Sequence, residues 1–284
     1  MSQMYEFKIG KNSLPLRFFY DHMGPSDFTR YMIEQAPKYQ ANAVIVGWSH
    51  TNDILLLEGY PEFRRKRKDL ERAIDLQRCY NELINLAKEK GLAVYFTTPE
   101  LWYPSGFFDA YPDALDPEKE TLWGFLRYRI NEWFEIMPDL DGFEIYLDEG
   151  ETNLLRINSV MSMSDRVFRV VQTALSVCEK RNKKFMLCTF TRWPRELQAI
   201  IDGLQRVPRS DNLIVHNWCL VDDWGLTFPD NPAIGNVGGH PEVISFDVHG
   251  ERHGHASVPW CYPDWIKEKL TLDMTISRNV IGVA

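Results

Sequence analysis

The stretch DGFEIYLDEGETN, residues 141–153, holds five carboxylates around a short apolar core. Phe143, Ile145 and Leu147 recur at every second position, which is the period of a β-strand. The pattern predicts a strand over residues 142–149 that ends in Asp148 and Glu149. Whether these acids have a chemical role depends on which other segments end beside them.

Seven further runs are typical of strands because they are short and rich in β-branched, apolar or aromatic residues. They are LPLRFFYDH (14–22), NAVIVGW (42–48), LAVYFTTPELW (92–102), KFMLCTF (184–190), NLIVHNW (212–218), EVISFDVHGE (242–251) and NVIGVA (279–284). Helices are predicted at 26–39, 65–90, 116–136, 164–181, 194–206 and 263–277. Eight strands that alternate with helices predict a single-domain (β/α)8 TIM barrel over residues 1–284.

A doubly wound open sheet is the alternative fold, but no strand is followed by a G-x-G-x-x-G or P-loop turn. Because the sequence stops inside the eighth strand, we expect the closing helix to be missing and the chain to be part of a longer protein.

Composition excludes several classes of function. The net charge of −8 disfavours a nucleic-acid partner. No apolar run approaches the roughly 20 residues that span a bilayer, and no secretory signal is visible, so a cytoplasmic location without a membrane partner is expected. The five cysteines are scattered, which predicts free thiols; no metal and no cofactor are expected. The oligomeric state is left open.

In a TIM barrel the active site forms at the C-terminal ends of the strands. Nearly every predicted strand ends in a mixture of charged, imidazole and aromatic side chains. The candidate substrate-binding residues are Asp21, Trp48, His50, Trp102, Tyr103, Asp148, Arg192, Trp193, His216, Asn217, Trp218, Trp224, Arg252 and His253. Aromatic rings stack on sugars and the polar groups bind hydroxyls, so the mixture predicts a glycan substrate. Taken singly, an Asp at the end of a strand also serves as a helix cap or turn residue, and a single Trp also serves in the core.

The seventh strand shows the sharpest alternation. Val243, Ser245, Asp247, His249 and Glu251 share one face, which is expected to point into the barrel, and Ile244, Phe246 and Val248 share the other. On the fourth strand, Glu144 and Tyr146 are expected in the lower interior, paired with Arg17.

Two or three carboxylates over a sugar site favour hydrolysis of a glycosidic bond. Glu149, among apolar and aromatic neighbours, is the candidate general acid, and Glu251, beside Arg252, is the candidate that stays ionised. Arg192 is the candidate for a substrate carboxylate, with a structural salt bridge as the alternative.

These strand ends resemble the catalytic barrel of the α-glucuronidase glycoside hydrolases. GFEIYLDEGE is similar to the strand of that family that carries the general acid, which implies this role for Glu149. HGERHG and VHNWCLVDDW resemble the segments that carry the pair of bases, which implies Glu251 with Asp223, or with Asp222 after a one-residue shift. FTRW resembles the Arg-containing end of the fifth strand. The resemblance implies an inverting mechanism, although Arg252, His253 and His216 depart from the family's residues.

Other mechanisms and classes stay open. A retaining glycosidase would use Glu149 as acid/base and Glu251 as nucleophile. A metal-dependent hydrolase or isomerase would use His249, His253 and His255 with Glu251 and Asp247. A non-catalytic sugar-binding barrel would need no paired acids. The basic run RRKRK, residues 64–68, is interpreted as a solvated helix start, with anion binding as the alternative.

Overall fold

The fold is a closed barrel of eight parallel strands, seen in a computed structural model. The structure describes residues 8–9, 12–20, 24–47, 51–99, 103–148, 154–221, 228–246 and 262–284. The strands are β1 (Leu16–Tyr20), β2 (Ala43–Gly47), β3 (Ala93–Pro99), β4 (Gly142–Tyr146), β5 (Lys184–Cys188), β6 (Leu213–Trp218), β7 (Glu242–Ser245) and β8 (Val280–Val283). Each strand pairs with the next, and β8 pairs with both β7 and β1. The predicted (β/α)8 barrel is confirmed, and the open sheet is excluded.

Helices connect successive strands along most of the barrel. They are α1 (Asp27–Gln35), α2 (Arg67–Glu89), α3 (Phe107–Ala110), α4 (Glu120–Ile136), α5 (Met163–Lys180), α6 (Pro194–Gln205) and α7 (Pro263–Ile276). Short 3₁₀ turns lie at Ala36–Tyr39, Pro61–Phe63 and Pro112–Leu115. A small antiparallel hairpin, Lys8–Ile9 with Asn12–Ser13, precedes the barrel and was not expected from the sequence pattern.

Capping side chains explain where several helices begin. The Ser26 hydroxyl accepts a hydrogen bond from the Thr29 N–H at 3.1 Å, as predicted for α1. The predicted start of α5 at Ser164 was wrong, because Ser162 is the cap and accepts from the Asp165 N–H. The predicted start of α4 at residue 116 was also wrong. The Asp116 carboxylate accepts from the Glu118 N–H in a local turn, and the helix begins at Glu120.

The core has two layers because successive strand residues face opposite sides. The barrel interior contains a cluster of apolar and aromatic side chains: Phe18, Ala43, Ile45, Tyr95, Met186, Ile214 and Val243. A larger cluster fills the space between the strands and the helices. On β7, Val243 faces inward while Ile244 and Phe246 pack outside, which confirms the predicted alternation for these residues. Asp247, Val248, His249 and Glu251 lie outside the described residues.

Close approach of β4 to β5 requires a glycine at position 142. A Cβ atom there would overlap the carbonyl group of Lys184 on the neighbouring strand. Gly142 therefore fixes the spacing of the two strands at the bottom of the barrel.

Among the helices that the structure describes, none is long and apolar enough to cross a membrane.

Candidate functional site

Polar side chains fill the upper interior of the barrel, next to the C-terminal ends of β3 to β6. We call this group the interior cluster; its members are Thr97, Glu144, Tyr146, Cys188, His216 and Trp218. They recur at every second position of their strands, so the same alternation that places Met186 and Ile214 lower in the barrel places Cys188 and His216 above them. Sequence pattern therefore brings chemically active groups to the end of the barrel where substrates bind.

Glu144 and His216 form the centre of the interior cluster. His216 Nδ1 lies 2.5 Å from Glu144 Oε1, and the Thr97 hydroxyl donates to Glu144 Oε2 at 2.8 Å. Both residues are fully buried. The hydrogen bond at Nδ1 fixes the orientation of the imidazole. The buried Glu144 carboxyl group is thereby hydrogen-bonded from the neighbouring strand β3 and from β6 across the barrel interior.

The predicted pairing of Glu144 with Arg17 was wrong. Arg17 Nε donates to the carbonyl of Gln40 at 2.6 Å and Nη1 donates to the carbonyl of Leu14. Arg17 precedes the inward-facing Phe18 by one residue, so it lies on the other face of β1.

Cys188 lies beside the pair, and burial raises the pKa of its thiol well above the ordinary value. A neutral, buried thiol is a poor nucleophile. Three possible zinc-ligand atoms lie within 4.8 Å of one another here: a carboxylate oxygen of Glu144, the sulfur of Cys188 and an imidazole nitrogen of His216. The direct Glu144–His216 bond compensates both groups without a cation.

A second network joins the ends of β4 and β5 to α6. The buried Asp148 carboxylate accepts from Arg156 Nη2 at 3.2 Å and from the backbone N–H of Arg192 at 3.1 Å. Arg156 also binds Glu196 through Nε and Nη2, at 2.8 and 3.0 Å, and the Thr191 hydroxyl donates to the same carboxylate. The network fixes the side chain of Asp148 at the end of β4.

Several predicted binding residues lie around this end of the barrel. Arg192 is 57% exposed at its side chain, with Nε 3.8 Å from Asp148, and Trp193 is exposed at the first turn of α6. The Trp218 ring packs on Phe190 with ring centroids 5.1 Å apart. The structure thus brings His216 and Trp218 together inside the barrel, and it brings Asp148 and Arg192 together at the rim.

Two predicted binding residues lie elsewhere. Asn217 faces away from the interior, where its amide donates to Glu242 at 2.7 Å and its carbonyl accepts from Thr189 at 2.9 Å. The ring of Tyr103 packs among other aromatic side chains, including Phe107 and Phe125. The structure does not bring either residue into the interior cluster.

Comparison with known proteins relates this geometry to solved structures. No protein-family profile and no curated protein sequence matches the chain. A GH138 enzyme targeting pectin rhamnogalacturonan II has a TM-score of 0.57 at 13% identity, over 90% of this chain and 30% of that one. The O-GlcNAc hydrolase of Thermobaculum terrenum has a TM-score of 0.57 at 12% identity, over 95% of this chain and 54% of its own.

The chitobiase of Flavobacterium johnsoniae, FjGH20, has a TM-score of 0.56 at 12% identity, over 96% of this chain and 44% of its own. These likenesses show the fold, a (β/α)8 barrel that this chain shares with glycoside hydrolases of low sequence identity. The chain spans between about a third and a half of the length of these three proteins.

The remaining predicted site residues lie outside the described part of the barrel. They are the catalytic candidates Glu149, Glu251, Asp222 and Asp223, the binding candidates Asp21, Trp48, His50, Trp102, Trp224, Arg252 and His253, and the metal candidate His255.

Sequence reasoning missed four residues that the site uses. Thr97 and Cys188 were visible in principle, because each lies at an inward position of its strand, level with Glu144 or just above it. Arg156 and Glu196 carried no usable signal, since one follows β4 in a loop, the other lies in α6, and only the fold brings them together.

Proposed function

We propose that the chain is the catalytic barrel of a glycoside hydrolase, and that its substrate is a glycan. The observation that carries the proposal is the buried Glu144–His216 pair at the C-terminal end of a barrel shared with glycoside hydrolases. The pair lies at the end of the barrel where barrel enzymes bind their substrates. The hydrogen bonds of Asp148 to Arg156 and to the Arg192 N–H hold a second carboxylate at the end of β4.

In the mechanism we propose, Glu149 protonates the leaving oxygen. Glu251, together with Asp223 or Asp222, activates the water that attacks the anomeric carbon, which inverts its configuration. His216, held by Glu144, binds a hydroxyl of the sugar whose bond is cleaved, and Arg192 at the rim binds a substrate carboxylate. This assignment is α-glucuronidase-like and predicts activity on polysaccharides that carry uronic acids.

Two other courses compete with inversion. With Glu251 as nucleophile the enzyme would retain configuration, and the carboxyl separation would be about 5–5.5 Å rather than about 6.5–9.5 Å. A substrate-assisted course, as GH20 enzymes use, is favoured by the likeness to the GH20 chitobiase and predicts N-acetylhexosaminides as substrates.

The test is a panel of glycosides with and without uronic acids or N-acetyl groups, followed by NMR of the anomer first released. We expect Glu149→Gln and Glu251→Gln to abolish turnover while thermal melting stays that of the wild type. Activity that survives in both variants would refute the catalytic assignment. Stoichiometric zinc or manganese in the purified protein would favour the metal-dependent class, and sugar binding without any turnover would favour a binding barrel.

A further inference from the structure

A cleft of about 610 Å³ opens between the loops that follow β2 and β3. We call it the loop cleft; its lining residues fall in 52–53, 57, 62–66, 69 and 103–105. Its volume lies within the range of roughly 300–1,000 Å³ that is typical of ligand sites. We propose that the loop cleft binds a neutral segment of the glycan, remote from the bond that is cleaved. This inference rests on the proposed function.

The location of the loop cleft on the barrel fits substrate binding. Both loops follow barrel strands, so the cleft lies on the C-terminal face, where TIM-barrel enzymes bind their substrates. The interior cluster and the candidate catalytic residues belong to β3 to β7 and the segments that follow β4, β6 and β7. The loop cleft therefore belongs to the β2–β3 side of this face, and we assign it to the rest of a longer substrate.

Side chains of α4 hold the loop that follows β2. Glu132 of α4 accepts from the backbone N–H groups of Leu56 and Leu57 at 2.6 and 3.1 Å, and the Tyr128 hydroxyl accepts from the Gly59 N–H at 3.0 Å. Leu57 has a φ of 57°, in the left-handed region that costs a leucine free energy. A loop held in such a conformation from outside is pre-organised, which lowers the entropic cost of binding.

Charge decides which ligand fits. Three cationic residues line the cleft, and so do three acidic residues; they are Arg64, Arg65, Lys66, Asp53, Glu62 and Asp69. The three residues of the basic run that line the cleft, 64–66, are thus balanced by three acids, and a polyanion would meet as much repulsion as attraction there. Neighbouring donors and acceptors with no net charge suit the hydroxyl groups of a neutral sugar.

Aromatic rings supply the apolar part of the lining. Phe63 and Tyr103 line the loop cleft and both pack on Phe107, with ring centroids 5.8 and 5.1 Å from it. Tyr103 is buried, whereas Phe63 is half-buried and, fixed from behind by Phe107, presents rigid surface to a ligand at low entropic cost.

The test is calorimetric titration in the Glu149→Gln background with neutral N-acetylchito- and xylo-oligosaccharides, from di- to hexasaccharides. We expect a hexasaccharide to bind about tenfold more tightly than a disaccharide, the effect of one hydrogen bond to a charged group. Arg64→Ala should remove this gain with length. Arg67→Ala is the matched control from the same basic run; its side chain is 94% exposed and lies outside the lining, so the gain should persist.

Asp69→Asn separates a neutral ligand from an anionic one. A neutral segment should bind Asp69→Asn no more tightly than the parent, whereas an acidic segment would bind it more tightly. The proposal is overturned if neither neutral series binds more tightly as the oligosaccharide lengthens, or if Arg67→Ala abolishes this increase as Arg64→Ala does. It is also overturned if only oligogalacturonides bind more tightly with length and added salt abolishes that increase.

Hydrolysis of aryl monosaccharide glycosides tests the proposed function separately, because such a substrate has no further sugar unit for the loop cleft to bind. A protein that is inactive but binds longer oligosaccharides more tightly would refute the hydrolase function and support glycan binding in the loop cleft. A protein that is active but shows no such dependence on length would support the hydrolase function and refute binding in the cleft.

Discussion

Asp273 of α7 is a buried carboxyl group that should make the stability of the barrel depend on pH. Neither carboxylate oxygen has a hydrogen-bond partner in the described part of the chain. Burial first, and then the charge of Asp230, raise its pKa from 3.8 to about 7; Glu242 adds to the rise and Lys269 opposes it. The ionised form of Asp273 is therefore disfavoured in the folded state.

The sign and size of the effect follow from linkage. Between its unfolded and folded pKa values, Asp273 keeps its proton only when folded, so rising pH removes stability, and the penalty is complete above about pH 7. A rise from 3.8 to about 7 corresponds to roughly 4 kcal/mol at 1.36 kcal/mol per pH unit. Screening by solvent and nearby charges reduces this to about 2 kcal/mol.

Asp273→Asn removes the charge and keeps the shape. We expect the variant to raise the free energy of unfolding by about 2 kcal/mol at pH 8 and by less than about 1 kcal/mol at pH 5, measured by urea denaturation with tryptophan fluorescence. Asp264→Asn is the control, because that aspartate is exposed in the first turn of the same helix. A loss of stability in Asp273→Asn at both pH values would show that the carboxylate is a required acceptor and would refute the reasoning.

Three further predictions concern the site and the strands that build it. Glu144→Gln should leave thermal melting nearly unchanged but lower kcat/KM by about 10–100-fold, as loss of an orienting partner does; unchanged kinetics would exclude the positioning role. Glu196→Ala breaks the buried pair with the half-exposed Arg156, and urea denaturation should show a loss of about 2–3 kcal/mol. Gly142→Ala should lower stability by about 1–3 kcal/mol through overlap with Lys184, which a melting temperature equal to the wild type would contradict.

Most of the fold was predictable because it depends on local periodicity. Each barrel strand buries both faces, so its residues read as a short apolar run, and helices such as α2 carry their own amphipathic pattern. Boundaries were less predictable, as Ser162 and Asp116 illustrate. Two serines within three residues have the same capping chemistry, and only the backbone conformation decides which of them accepts the bond.

The candidate site was predictable only in part. Strand ends could be recognised from the sequence, but His216, Asn217 and Trp218 were all predicted to bind substrate, although alternation places Asn217 on the opposite face. Which neighbours these side chains meet could not be predicted, because contacts between strands join residues such as Glu144 and His216, 72 positions apart in the chain. The loop cleft had no sequence signal beyond its basic run.

The sequence by itself determined the eight strands, the alternation of their faces and the carboxyl ends at which polar and aromatic residues collect, because each is a property of a few consecutive residues. Only the tertiary structure decided that Glu144 is compensated by His216 and Thr97 rather than by Arg17, and that Asp148 meets Arg156 and Arg192. Closure of the barrel sets the distances between these side chains. Because an unpaired charge is costly to bury, the carboxyl groups are stable inside the barrel only beside such partners.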